Sequence, residues 1–193
     1  MGLGPWRLWP RVLAPVVFSF RPAEKAHRRL PRGESPLLTE QAPPTLYEWA
    51  GGDQAFRRLI DAFYDRAEKD ELISPYFPGG VHEAHRAHVA AWWREVFGGP
   101  TEYSDELGGY DHMVARHRDL GITREAQARF VSLMSLAADD AGLPADPEFR
   151  SALLAYVEWG TRLAFENSQP GAAVAEHAPV PRWGWGEAPP YEG

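Results

Sequence analysis

A chain of 193 residues with 44% hydrophobic and 24% charged positions is sized and composed for one packed domain plus tails. Its net charge of −7 argues against nucleic acid as a partner, and the absence of cysteine excludes disulfides, thiolate catalysis and cysteine-based zinc sites. Eight Trp, seven Tyr and nine Phe are enough to fill a core and still line a site for a flat apolar ligand.

At the N-terminus, Arg7 and Arg11 precede an apolar run at 12–20 that resembles the start of a secretory signal. Pro15 interrupts the run, however, and Arg21, Lys25, Arg28 and Arg29 follow it with no small-residue cleavage site. The run is also too short to span a bilayer. The expectation is a flexible extension over residues 1–44, or a start site set too far upstream, on a cytoplasmic protein without a membrane span.

Thr45 reads as the N-cap of a short helix over 46–50, stopped by Gly51-Gly52. Asp53 reads as the cap of a second helix to about residue 69. Its Phe56, Leu59, Ile60 and Phe63 recur at three- and four-residue steps as one buried stripe. Leu72, Ile73, Tyr76 and Phe77 make a single turn that Pro78-Gly79-Gly80 ends. A helix over 82–97 carries Val89, Trp92, Trp93 and Val96 and stops at Gly98-Gly99-Pro100. A loop containing Tyr103 and Gly108-Gly109 leads to a short helix with Met113, Val114 and His117. Thr123 caps a long helix to about 141, with Phe130, Leu133, Met134 and Ala137 on one side. Asp146-Pro147-Glu148 opens the last helix, to about 167. No alternating strand pattern occurs, so the fold class is all-α, with the domain at 45–169. Trp183, Trp185 and Tyr191 stand in the proline- and glycine-rich tail 170–193, where they are expected to dock on the helical body or on a second subunit of a homodimer.

His82, His85 and His88 lie three apart on one helix, which suits either a zinc site or a solvated polar turn; zinc usually wants ligands four apart or one from another element. No serine elbow or phosphate-binding loop is present. His117 ends its short helix one turn after Met113 and Val114, where a lone histidine is a core residue as readily as a metal ligand.

Taken in order, Gly51-Gly52, Phe63-Tyr64, Tyr76-Phe77-Pro78, Phe97-Gly98-Gly99-Pro100, Thr101-Glu102-Tyr103-Ser104, Arg116-His117 and Ile122-Thr123 resemble the truncated haemoglobins of the second group. The resemblance covers 45–169 and implies a short globin-like sandwich of helices packed two over two, with haem (iron protoporphyrin) as cofactor. It makes His117 the proximal ligand to the iron and Tyr64 the distal tyrosine that meets bound oxygen. It sets Phe77 against the haem edge, His85 at the distal position where this group more often has a small residue, and Val89 one turn further on. Phe130 stands where the group usually has tryptophan, so an indole N–H donor is missing. Phe63, Phe77, Val89, Trp92, Met113, Ile122, Phe130 and Met134 can wall the macrocycle, and Arg116, Tyr103 and His88 are candidates for its propionates. The implied function is reversible binding of oxygen, carbon monoxide or nitric oxide, served by an unidentified reductase. The alternatives are a haem enzyme with nitric oxide dioxygenase or peroxidase-like turnover, and a cofactor-free helical interaction module.

Overall fold

The computed structural model describes residues 42–186. The N-terminal extension lies almost wholly outside them, as does Tyr191. The described residues form α1 (Leu46–Ala50), α2 (Gly52–Ala67), a 3-10 turn (Ser74–Tyr76), α3 (Glu83–Val96), α4 (Glu102–Glu106), α5 (Gly109–His117), α6 (Arg124–Asp140) and α7 (Pro147–Asn167), with no strand among them. None of these helices is long and apolar enough to cross a membrane.

The helix starts follow from local chemistry. Thr45 and Glu48 make a capping box: the threonine hydroxyl accepts the Glu48 N–H at 3.1 Å and the Glu48 carboxylate accepts the Thr45 N–H at 2.8 Å. Thr123 and Asp146 cap α6 and α7 as their positions suggest, accepting from Ala126 N at 3.1 Å and Phe149 N at 2.9 Å. Two expectations need correction. Asp53 does not cap α2; Gly51, at a φ of +102° open to glycine, ends α1 and begins α2 at once. Asp53 sits in the first turn instead, accepting from the Tyr47 hydroxyl at 2.8 Å and from Arg94 at 3.0 Å. Tyr103 lies in α4 rather than in a loop, and the buried Glu95 carboxylate anchors that helix by accepting the Ser104 N–H at 2.9 Å.

α2 packs on α3 and α6, and α6 packs on α7, giving two pairs of helices, one laid over the other. Phe56, Leu59, Ile60 and Phe63 of α2 face inward as their spacing requires, meeting Val96, Phe97, Met134, Phe149, Leu153 and Val157. Burial of this apolar surface is the main source of stability.

Residues 170–186 turn back over the body as a strap. Trp183 N–H donates to the Val96 carbonyl at 2.8 Å, and Arg182 reaches the Glu95 and Gly99 carbonyls at 3.2 Å, satisfying groups left open at the end of α3. The Trp183 indole donates to the Ala152 carbonyl at 3.1 Å, with its ring 5.6 Å from both Tyr156 and Trp159. Trp185 meets Trp49 edge-on at 5.5 Å, and its indole donates to the Pro44 carbonyl at 2.7 Å. Further back, His177 donates twice to Asp111 of α5, from its backbone N–H and from Nδ1, both at 2.7 Å. Trp183 and Trp185 thus dock on the helical body. Trp183→Ala should cost about 2 kcal/mol, roughly half the price of truncating a fully buried tryptophan. In a thermal melt that is a drop of about 4–8 °C in Tm. An unmoved Tm would show that the strap rests on the body without holding it.

Candidate functional site

The second helix supplies neighbouring aromatic residues with different jobs. Phe63 is buried, 4.3 Å from the Phe130 ring. Tyr64 is buried too, but its hydroxyl pairs with His85 Nε2 at 2.8 Å. Phe77, after the 3-10 turn, stands edge-on to both, 5.5 Å from Tyr64 and 5.8 Å from His85. Burial raises the Tyr64 phenol well above its ordinary range, against the pull of Arg86, so the hydroxyl keeps its proton. His85 is exposed on its outer side. Lost hydration on its inner side holds its pKa below 6.5, followed by the charges of His88, Arg116 and His117. His88 of α3 and His112 of α5 stand 4.9 Å apart, so the two helices face each other here.

His117 is the last residue of α5. Its Nδ1 lies 2.8 Å from the Met113 carbonyl one turn back. A carbonyl can only accept, so Nδ1 carries the proton and Nε2 keeps its lone pair. Burial depresses the His117 pKa, although the bond to Met113 opposes this. The result is a neutral imidazole of fixed tautomer, the form a metal ion binds.

A second cluster lies beside it. The His88 ring is 5.0 Å from Tyr103 and 4.9 Å from His112, and His88 Nε2 is buried with no hydrogen-bond partner among the described residues. Burial pushes the Tyr103 phenol up to about 12, with Arg116 pulling the other way. Arg116 is exposed and reaches His112 Nε2 at 3.4 Å. Val89, Met113, Ile122 and Phe130 are half-buried apolar groups. Trp92 and Met134 are packed further in: the Trp92 indole donates to the Tyr156 hydroxyl at 2.8 Å, and Met134 is fully buried. The three histidines of α3 part company. His82 is exposed at the N-cap, His85 turns to Tyr64 and His88 to Tyr103, and no cluster of three metal-binding side chains occurs among the described residues.

Sequence spacing did not single out His112 or Arg86. The nearest signal for His112 was its place on the same short helix as His117, after the Gly108-Gly109 turn. A groove of about 780 Å³ between α2 and α6 lies apart from these clusters. Across it Arg66 pairs with Asp140 and Arg129 with Asp70, while its Asp65 pairs with Arg86 of α3.

Residues 45–158 match the bacterial-like globin family. The chain is 32% identical over 111 residues to the group 2 truncated hemoglobin YjbI of Bacillus subtilis, covering 58% of this chain and 81% of that protein. Among solved structures, the hemoglobin of the thermophilic phototrophic bacterium Chloroflexus aurantiacus superposes with a TM-score of 0.56 at 31% identity, over 63% of this chain and 97% of that one. The truncated oxygen-avid haemoglobin of Bacillus subtilis gives 0.54 at 30% identity, over 62% and 97%. The strap lies beyond the residues the family matches. Helix order, the paired layers and the matched span agree: the chain belongs to the bacterial-like globins, as a truncated haemoglobin of the second group.

Proposed function

We propose that this globin would hold haem between α3 and α5 with His117 Nε2 as the ligand to its iron, and that it binds oxygen and related diatomic gases reversibly beside Tyr64 and His85. The observation that carries the reading is the 2.8 Å bond between His117 Nδ1 and the Met113 carbonyl. Haem iron takes a neutral imidazole whose other nitrogen donates to an acceptor, and α5 supplies that arrangement from its own backbone.

The remaining residues suit the same group. Phe77, Val89, Met113, Ile122 and Phe130 are apolar and half-buried, the surface a macrocycle needs on its faces, with Phe63, Trp92 and Met134 packed as the layer behind. His88, Tyr103 and Arg116 gather donors at one edge. A propionate beside the unpartnered His88 Nε2 would favour its protonated, donating form. Haem supplies the iron that takes up the gas; the protein supplies orientation, exclusion of water and hydrogen-bond donors. Tyr64 is the buried donor on the side of His85, and Phe130 adds no polar atom there. A reductase is the partner such a site requires, because oxygen binds the ferrous state.

The test is the absorption spectrum of the purified protein, reduced and then exposed to oxygen or carbon monoxide. The expected outcome is a strong haem band at one haem per chain that shifts reversibly with each gas. A colourless protein that takes up no added haem would leave the helical interaction module as the better account.

A further inference from the structure

The two halves of α3 are held in different ways. Its C-terminal half buries Ala90, Ala91, Trp92, Trp93 and Val96. Its N-terminal half, Glu83 to Val89, buries no side chain: Glu83, Ala84, His85 and Ala87 are exposed and Val89 is half-buried. Packing on this half is limited to half-buried Val89 and to the His85 and His88 rings against neighbouring aromatic edges, so a polar anchor is needed to fix the turn that carries His85.

Arg86 is placed to do so. Its side chain is 12% exposed, and one terminal nitrogen donates to the Asp61 carbonyl at 3.0 Å and the Asp65 carboxylate at 2.8 Å. The other donates to Glu68 at 3.0 Å. Asp61 and Asp65 of α2 and its C-cap Glu68 follow at four- and three-residue steps, one stripe along the end of that helix. The guanidinium also stands 5.7 Å from the centre of the Tyr64 ring. The other oxygen of Glu68 accepts the Val81 N–H at 2.7 Å, tying the segment that leads into α3 to the same carboxylate. Arg57 adds a tie at the helix start, pairing with both Asp61 and Glu83.

We propose that Arg86 is a positioning residue for the Tyr64–His85 pair: its forked contacts with α2 set the rotation of the first turns of α3, and so the 2.8 Å approach of His85 Nε2 to the Tyr64 hydroxyl. Successive helical residues point about 100° apart, so pinning Arg86 to the α2 stripe holds His85 toward Tyr64 and Phe77. A lysine cannot reproduce this, because one ammonium cannot span the carbonyl and two carboxylates in a planar fork. The effect on gas release rests on the functional reading above; the attachment of α3 does not.

The test compares Arg86→Gln and Arg86→Lys with the parent holoprotein, alone and in a Tyr64→Phe background. Hydrogen exchange over residues 81–89 reports the attachment, and stopped-flow oxygen release reports the pair. Arg86→Gln is expected to quicken exchange in that segment while α6 and α7 stay as they were. It should speed release by about three- to tenfold, part of the effect of one hydrogen bond. Arg86→Lys should restore less than half of this, and the release effect should vanish once Tyr64 is phenylalanine. Unchanged exchange, or an equal release effect in both backgrounds, overturns the proposal. Release that is indifferent to Tyr64→Phe itself overturns the distal reading, while exchange still decides whether Arg86 holds the helix. Should Arg86→Gln fail to fold, Asp65→Asn removes one arm at an exposed carboxylate and carries the same comparison.

Discussion

His117→Gly should lose most of its haem on desalting, and added imidazole should return part of it. Disturbing only the hydrogen-bond partner of a metal ligand weakens binding about 10–100-fold, so removing the ligand should exceed that. The glycine leaves α5 in place, since His117 is its last residue and the buried Tyr110 and Val114 hold the turns before it. Free imidazole can then enter the space the side chain vacates. Thermal stability should fall together with occupancy, because a cofactor that binds only the native state adds RT ln(1 + [L]/Kd), about 2.7 kcal/mol at a hundredfold excess over Kd. Absorbance after desalting and the melting curve of the same sample read both effects. An unchanged ferrous spectrum would remove His117 as the ligand and point to His112, which faces His88 at 4.9 Å.

The second large effect is expected at Tyr64. A hydroxyl that is buried and firmly protonated can only act as a neutral hydrogen-bonding group, and a polarised gas ligand is a better acceptor than a neutral one. Such a bond is worth about 1.5–3 kcal/mol, or roughly a ten- to hundredfold change in rate. Tyr64→Phe should therefore speed oxygen release by that factor and leave carbon monoxide release nearly unaltered. His85→Leu should do less. His85 sits exposed at the rim, and without it the Tyr64 proton is still free to turn toward the gas. Stopped-flow release of both gases from the two single variants and the double variant separates these contributions. If oxygen leaves all three at the parent rate, the pocket holds no polar clamp, and Phe130→Trp should slow release by adding the absent donor.

The long helices were legible because they repeat apolar residues at helical spacing, and α1, α6 and α7 also start on a side chain that caps them. Thr45, Thr123 and Asp146 needed no tertiary knowledge. Asp53 misled because an aspartate before an apolar stripe looks like a cap, whereas the left-handed Gly51 already serves two helices and frees Asp53 for Tyr47 and Arg94. Tyr103 misled for the converse reason: α4 is only five residues long, lacks a side-chain cap and depends on Glu95 of another helix. In the site, the family pattern pointed to His117 and Tyr64, but no periodicity reports that His85 bonds Tyr64 across 21 residues or that Arg86 spans about two turns at the end of α2. Those pairings exist only once α2 and α3 lie side by side. The strap was readable as composition, two tryptophans among prolines and glycines, and unreadable as geometry.

That strap also bears on how the fold persists in time. Trp185 meets Pro44 across 141 residues of chain and Trp183 meets Ala152 across 31, so the first contact closes nearly the whole domain into a loop. Closing a long loop is entropically unfavourable until the segments it joins are already in place. The strap is therefore expected to engage late, and interactions absent from the folding transition state leave the folding rate alone while slowing unfolding, as the refolding and unfolding rates of Trp183→Ala would read. A strap of this kind lengthens the life of the folded protein without hastening its birth.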